Sequence, residues 1–356
     1  MSLTPTAVLE ALRPVQDPEL RRSLVELNMI RNVTVDGRTV RFDLILTTLA
    51  CPLKEFIRED CERAVKALGG VDTVEITLGA ETPQMKNSLP DRQGIDGVRN
   101  IIAVSSGKGG VGKSTVSVNI ACALAKAGAR VGLLDADIYG PNTPNMLGLG
   151  EAQVVVQEGS NGQILEPAFA HGIKTVSMAF LIDRDQPVIW RGPMLNGIIR
   201  QFLYQVNWGE LDYLIVDLPP GTGDAQLTLA QGVPMAGAVI VTTPQTVALL
   251  DARKGLRMFQ QMQVPVLGIV ENMSYFIPPD QPEKQYDIFG SGGGDRTARE
   301  LEVPLLGCVP LEIPVRVGGD EGTPIVLSQP ESASAKALTA IAEQVAARVS
   351  VLALSA

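Results

Sequence analysis

Residues 107–115 read GKGGVGKST, and the residues on either side decide what that stretch is. Before it stands an apolar run, NIIAVSS (Asn100–Ser106), and after it the helical VSVNIACALAKAG (Val116–Gly128). A strand, a glycine-rich turn closed by Lys and Ser, then a helix is the context a phosphate-binding loop requires. The four fixed positions, Gly107, Gly112, Lys113 and Ser114, coincide by chance in roughly one chain of this length in a hundred, and the flanking elements lower that figure. The predicted nucleotide contacts are Gly107, Lys108, Gly109, Gly110, Val111, Gly112, Lys113, Ser114 and Thr115. Glycines let backbone N–H groups turn onto phosphates, the helix N-terminus adds its positive end, Lys113 neutralises the outer phosphates and the Ser114 hydroxyl ligates Mg²⁺.

A metal there also needs carboxylates at strand ends. Asp217 closes the apolar run LDYLIVD and is the natural partner of Ser114 around Mg²⁺, with PPGTGD behind it as a stiff segment able to sense the outer phosphate. Asp135 and Asp137 close the preceding strand in DADIYGP, where Asp137 is placed to polarise the attacking water or to hold Mg²⁺ through water. Helix or turn capping is the alternative for these aspartates.

Around this centre, NIIAVSS, RVGLLDAD, DYLIVDLP, GAVIVTTP, PVLGIVEN and PLLGCVP alternate with helical segments. Apolar strands separated by helices predict an α/β domain over 100–356, a mostly parallel sheet covered by helices on both faces. Residues 81–99 (ETPQMKNSLPDRQGIDGVR) are polar and without period, as a linker is. Residues 1–80 predict a small α+β domain: a helix near Thr4–Leu12, two strands joined at Asp36-Gly37, a helix opening at Pro52 and a third strand, VDTVEITL. Leu53, Phe56, Ile57, Cys61, Ala64, Val65 and Leu68 recur on one helical face, which places Cys61 inside.

Over the 356 residues, 30 Lys+Arg against 39 Asp+Glu leave a net charge of -9, which argues against a broad grip on nucleic acid. The N-terminus lacks the pattern of a signal peptide and no apolar run reads as a membrane span, so a cytoplasmic protein without membrane or nucleic-acid partners is expected. Four cysteines, Cys51, Cys61, Cys122 and Cys308, lie far apart with no CxxC. That spacing suggests neither a disulfide framework nor a self-contained zinc site.

A lysine directly after the first glycine, Lys108, resembles the deviant phosphate loop of the MinD, ParA and nitrogenase-iron-protein ATPases. The resemblance implies a homodimer in which Lys108 reaches the partner's ATP and stabilises charge on the transferred phosphoryl; a surface lysine is the alternative. GKGGVGKSTVSVNIACALA, LLDADIYGPNTPNMLG, WRGPM, DYLIVDLPPGTGDAQL, ENMSYF and IFGSGGG together are similar to the Mrp/ApbC iron-sulfur cluster carrier ATPases. The first 80 or so residues, with DPEL, VELNMIRNV and LTTLACPLK, resemble the iron-sulfur-assembly domain often fused in front of them. The resemblance implies ATP, Mg²⁺ and an iron-sulfur cluster as ligands, scaffold and recipient apoproteins as partners, and Asn272 as a reader of the adenine ring, with Pro310 flanking the base. An ordinary turn asparagine is the alternative for Asn272.

One departure stands out. Where most bacterial members carry a CxxC, between ENMSYF and IFGSGGG, this chain has IPPDQPEKQYD (Ile277–Asp287), whose side chains are poor substitutes for thiolates around iron. Cys51, read as the N-cap before Pro52, then becomes the candidate iron-sulfur ligand. Cys61 and Cys122 read as core residues, Cys308 as a weaker candidate at a strand end, and His171 as a turn residue. Competing readings are a cluster-free ATPase adaptor, a MinD/ParA-like positioning ATPase, and a reductase. The tail offers a positioning ATPase only Lys336 and Arg348 as cations, and LPPGTGDAQL gives a reductase no cysteine.

Overall fold

The computed structural model describes residues 3–84, 92–137, 140–153, 155–159, 162–181 and 192–355. The chain divides into two compact units, Met1–Pro83 with Ala346–Ala356, and Gln84–Val345. The middle of the expected linker (85–91), Ile138 and Tyr139 in the loop after Asp137, and Trp190 and Arg191 of WRGPM lie outside the described residues. The rest of the linker beyond Gln84 is bound into the large unit, where Arg92 donates to the Met262 carbonyl (2.5 Å) and Gln93 N to that of Gly232 (3.1 Å).

In the small unit, helix α1 (Pro5–Leu12) begins with Pro5 at its first turn and the Thr4 hydroxyl accepting from Ala7 N (3.2 Å). Strands β1 (Gln16–Asp17) and β2 (Arg22–Ser23) form a short antiparallel pair. Strands β3 (Ile30–Asp36) and β4 (Thr39–Leu46) make the expected hairpin, whose turn uses Gly37 at φ +59°. Alternate β4 residues Val40, Phe42, Leu44 and Leu46 point inward. Helix α2 (Lys54–Lys66) buries Ile57, Cys61 and Val65 and leads to β5 (Thr73–Ala80), parallel to β4. Phe56, expected on that buried face, is 52% exposed, because one residue before Ile57 turns it about 100° away.

The large unit follows in chain order as β6 (Val98–Ser106), α3 (Lys113–Lys126), β7 (Val131–Asp135), α4 (Thr143–Met146), β8 (Val155–Gly159), β9 (Gly162–Glu166), β10 (Ala168–Ala170) and β11 (Ile173–Ser177). It continues with α5 (Gly192–Tyr204), β12 (Leu211–Asp217), α6 (Asp224–Gly232), β13 (Met235–Thr242), α7 (Thr246–Gln261), β14 (Val266–Phe276), α8 (Gly293–Glu300), β15 (Leu305–Leu311), α9 (Ile313–Asp320), α10 (Ile325–Ser328) and α11 (Ala333–Ser355), the last of which runs on past Val345 into the small unit. The strands join as β10-β11-β7-β12-β6-β13-β14-β15, parallel except for the edge strand β10. The expected parallel α/β sheet is therefore present. Ile101, Ala103, Leu214, Val216, Ala238 and Ile240 pack with α5, α6 and α7, while their neighbours Ile102, Val104, Ile215, Val239 and Val241 bury the opposite face. Phosphate-loop helix α3 packs on β6, β7 and β12.

Helix α11 is the core-packing helix that the apolar spacing of the tail predicts, although it is longer and more apolar than the expectation of no span-like run allowed. By length and composition it is the one helix among the described residues able to cross a membrane, yet Leu338, Ile341, Val345 and Val349 on it are fully buried in protein, as in a core helix.

Candidate functional site

The loop Gly107–Gly112 leaves β6 at the centre of the sheet, beside the C-terminal ends of β12 and β13, the crevice where open parallel sheets bind ligands. Its glycines are sterically required. A Cβ on Gly107 would lie 2.2 Å from the Asp251 carbonyl carbon in α7, and Gly112 sits at φ +79° with a Cβ position 2.2 Å from Asn272 Nδ2. Lys108 is partly exposed, and its side chain makes no ion pair or hydrogen bond with the described residues. Lys113 is the opposite: 6% exposed, with Nζ 2.8 Å from Asp217 Oδ1 and 3.5 Å from Asp137 Oδ2.

Asp217, at the end of β12, is fully buried and takes three side-chain donors: Lys113 and Ser117 (2.7 Å) on Oδ1, and Ser114 (2.6 Å) on Oδ2. Asp135 lies beside it in the β7–β12 register. The strand β7 ends at Asp135, so Asp137 does not close it as expected; it stands in the following loop, where it also accepts from Gly140 N (3.3 Å). Asp135 is the residue the sequence reading left without a role. Fully buried, it accepts from Asp137 N (3.1 Å), Thr143 N (3.2 Å), Thr143 Oγ1 (3.0 Å) and Ser177 Oγ (3.0 Å). It thereby holds the Asp137 loop, α4 and β11 together. The first Asp of DAD carried the signal, but nothing in the sequence revealed that Thr143 and Ser177 converge on it.

The electrostatics follow from burial. Burial works against the Lys113 ammonium, but Asp217, with Asp137 and Asp135 behind it, more than reverses this and holds its pKa above the ordinary lysine value. Burial raises the Asp135 carboxyl to about 7, the neighbouring Asp217 charge adding to the rise and Lys113 opposing it. One ammonium thus faces the carboxylates of Asp217 and Asp137, with Asp135 behind them, in a site lined by oxygen ligands. Hard oxygen ligands in the form of one hydroxyl and one or two carboxylates fit Mg²⁺, which takes its remaining ligands from phosphates and water. Among the described residues no three His, Cys, Asp or Glu side chains converge as a metal cage.

Beside the loop lies a cleft of about 680 Å³, lined by Thr115, Asn145 and Met146 on one side and by Asn272, Pro310 and Val315 among others on the other. Asn272, inside β14 rather than in a turn after it, is 6% exposed and donates Nδ2 to the Val111 carbonyl (2.8 Å). The candidate base reader therefore also braces the phosphate loop, and Pro310 lines the same cleft.

Among the described residues no cysteines form a metal-holding group. Cys51 is 8% exposed in the small unit's core, and the residue capping α2 is Leu53. The expected N-cap position is thus two residues off, because Pro52 and Leu53 form a turn first, with Lys54 N bonded to the Cys51 carbonyl (3.4 Å). Cys61 and Cys122 are fully buried, and burial pushes both thiols up to about 12. Cys308 is partly exposed, 3.8 Å from Glu271 Oε1, and burial likewise raises it. His171 occupies the β10–β11 turn at φ +51°, and its Nε2 lies 2.9 Å from the Gly322 carbonyl.

Comparison with known proteins places these features. Residues 97–346 match the family described as NUBPL iron-transfer P-loop NTPase, and residues 5–78 match a family of iron-sulfur cluster assembly proteins. A protein of Synechocystis named iron-sulfur cluster carrier protein is 75% identical over 352 residues, 99% of each chain. One of Deinococcus radiodurans with the same name is 50% identical, covering 98% of this chain and 97% of the relative. Among solved structures, a nucleotide-binding protein of Archaeoglobus fulgidus in complex with ADP superposes with a TM-score of 0.58 at 40% identity, covering 67% of this chain and 91% of that one. With the phosphate loop, its carboxylates and the parallel sheet already in place, the chain belongs to the NUBPL iron-transfer P-loop NTPase family.

Proposed function

We propose that this protein is an ATP-hydrolysing carrier that binds iron-sulfur clusters as cargo and hands them to apoproteins in the cytoplasm, working as a homodimer. The single observation that carries the reading is the set Lys113, Ser114 and Asp217 bonded together at the mouth of the phosphate loop, in a chain whose relatives over nearly its full length are named iron-sulfur cluster carriers.

In this reading the loop N–H groups from Gly109 to Thr115 cradle the phosphates, and Lys113 exchanges carboxylate oxygens for phosphate oxygens. Ser114 and Asp217 would hold Mg²⁺, and Asp137 would reach it through water; when bound, the ion would supply charge stabilisation for the transferred phosphoryl group. Asp137 orients the attacking water. Asn272 and Pro310 hold the base in the cleft. Lys108, without a side-chain partner among the described residues, reaches the nucleotide of the second subunit and stabilises charge there, so that hydrolysis needs the dimer.

Cargo binding rests on Cys51 as the candidate thiolate. A second reading, a cluster-free ATPase adaptor, draws support from the cysteine-free segment Ile277–Asp287 and from the burial of Cys51. Iron and acid-labile sulfide per dimer after anaerobic reconstitution, for the natural protein and Cys51→Ala, decide between them. Stoichiometric iron and sulfide that vanish in the variant support the carrier; neither bound by the natural protein supports the adaptor.

A further inference from the structure

Ser117 has no place in the phosphate-loop pattern, which ends at Ser114 and Thr115. It stands one turn further along α3, on the same helical face as Ser114. The position is fully buried, with Val116, Val118 and Ile120 close by in sequence and also buried. A hydroxyl in such a place costs free energy unless it is bonded, and alanine is the better helix former.

The Ser117 hydroxyl lies 2.7 Å from Asp217 Oδ1 and 3.1 Å from the Lys113 carbonyl. It has one proton to give, and the shorter contact is to the carboxylate. Ser114 and Ser117 thereby grip the two oxygens of Asp217 separately, Oδ2 and Oδ1. In the reading proposed above, nucleotide draws Lys113 to the phosphates and Ser114 to Mg²⁺. Two of the three donors on Asp217 then leave it, and the third, Ser117, has no ligand role to draw it away.

We infer that Ser117 is the positioning residue for Asp217: its hydroxyl fixes the carboxylate in the orientation in which it serves the metal once Lys113 and Ser114 have turned to ATP. The inference rests on the Mg²⁺ role proposed for Asp217. Loss of an outer partner of a metal-serving carboxylate weakens metal binding while leaving the metal-free site intact.

The test is ATP binding by the full-length protein, titrated with MgCl₂ and repeated in EDTA, for the natural chain, Ser117→Ala and Ser117→Thr, with thermal unfolding of each alongside. In Ser117→Ala the Mg²⁺ concentration that half-saturates the tightening of ATP binding should rise about ten-fold, with affinity in EDTA within about two-fold of the natural chain. Ser117→Thr, which restores a hydroxyl, should recover the natural Mg²⁺ response. An unchanged Mg²⁺ response in Ser117→Ala overturns the role of Ser117, and so does a lowered unfolding midpoint with equal losses in Mg²⁺ and in EDTA. A natural chain whose ATP affinity ignores Mg²⁺ overturns the metal reading first, and the inference with it.

Discussion

Lys113 in the large unit and Cys51 in the small one are nearly equally hidden, 6% and 8% exposed, and their surroundings are opposite. Lys113 is spanned by Asp217 and Asp137, and its neighbours Ser114 and Ser117 hold the same carboxylate. Cys51 belongs to an apolar cluster with Val8, Leu12, Phe42 and Ile57. Burying an ammonium is tolerated only where charges and hydrogen bonds compensate it, so the phosphate end is assembled in advance inside one chain. A thiol buries at little cost as a small hydrophobe, and nothing obliges the four cysteines to converge. The nucleotide site is prebuilt, whereas among the described residues no group of cysteines and carboxylates is preassembled to hold a metal.

The largest expected effect comes from breaking the prebuilt side. Lys113→Ala leaves Asp217, Asp137 and the fully buried Asp135 without their ammonium, and removing one partner of a buried pair costs roughly 3–5 kcal/mol. Urea unfolding should show that loss, and ATP binding should disappear with it. Lys108→Ala sharpens the contrast between the two lysines of one loop. Lys108 has no side-chain partner among the described residues, so stability should stay within about 0.5 kcal/mol. ATP turnover should fall roughly 1,000-fold, as on loss of a charge-stabilising finger. Full turnover in Lys108→Ala would end the cross-subunit role.

Next in size is Gly112→Ala. The left-handed backbone at φ +79° is strained for alanine, and the new Cβ would meet Asn272 Nδ2 at 2.2 Å and displace the brace on Val111. Adenine-nucleotide affinity measured by calorimetry should fall at least about ten-fold, from misplaced loop N–H groups and a displaced Asn272 together. Unaltered affinity would mean that Asn272 neither braces the loop nor reads the base.

The phosphate loop was legible because its chemistry demands fixed residue types at fixed spacing within nine residues. Parallel strands β6, β7, β12, β13, β14 and β15 were legible because burial on both faces makes them continuously apolar. Strand β11 was not. Its IKTVS carries Lys174, Thr175 and Ser177, and it is held in the sheet partly because Ser177 donates to Asp135, a partner 42 residues away. The same long-range logic hid the role of Asp135 and moved Cys51 off the helix cap, since turn geometry at Pro52 and Leu53 decides where α2 starts. Spacing reveals local chemistry; convergence of distant hydroxyls on a buried carboxylate leaves no local pattern.

The smallest effect tests the thiol side of the comparison by a cysteine expected to do nothing. Cys122 lies fully buried in α3, and burial pushes its thiol up to about 12. At pH 8 such a group stays a thiol, so it is neither a ready iron ligand nor an alkylation target. Cys122→Ala removes one buried sulfur and should cost roughly 1 kcal/mol on unfolding. Iron and sulfide after reconstitution should match the natural chain, and iodoacetamide at pH 8 should leave Cys122 unmodified until the protein unfolds. If Cys122→Ala lost iron as Cys51→Ala is expected to, the buried thiols would not be inert. The division between a prebuilt nucleotide site and an unassembled cargo site would then have to be redrawn with α3, the helix of the phosphate loop, belonging to both.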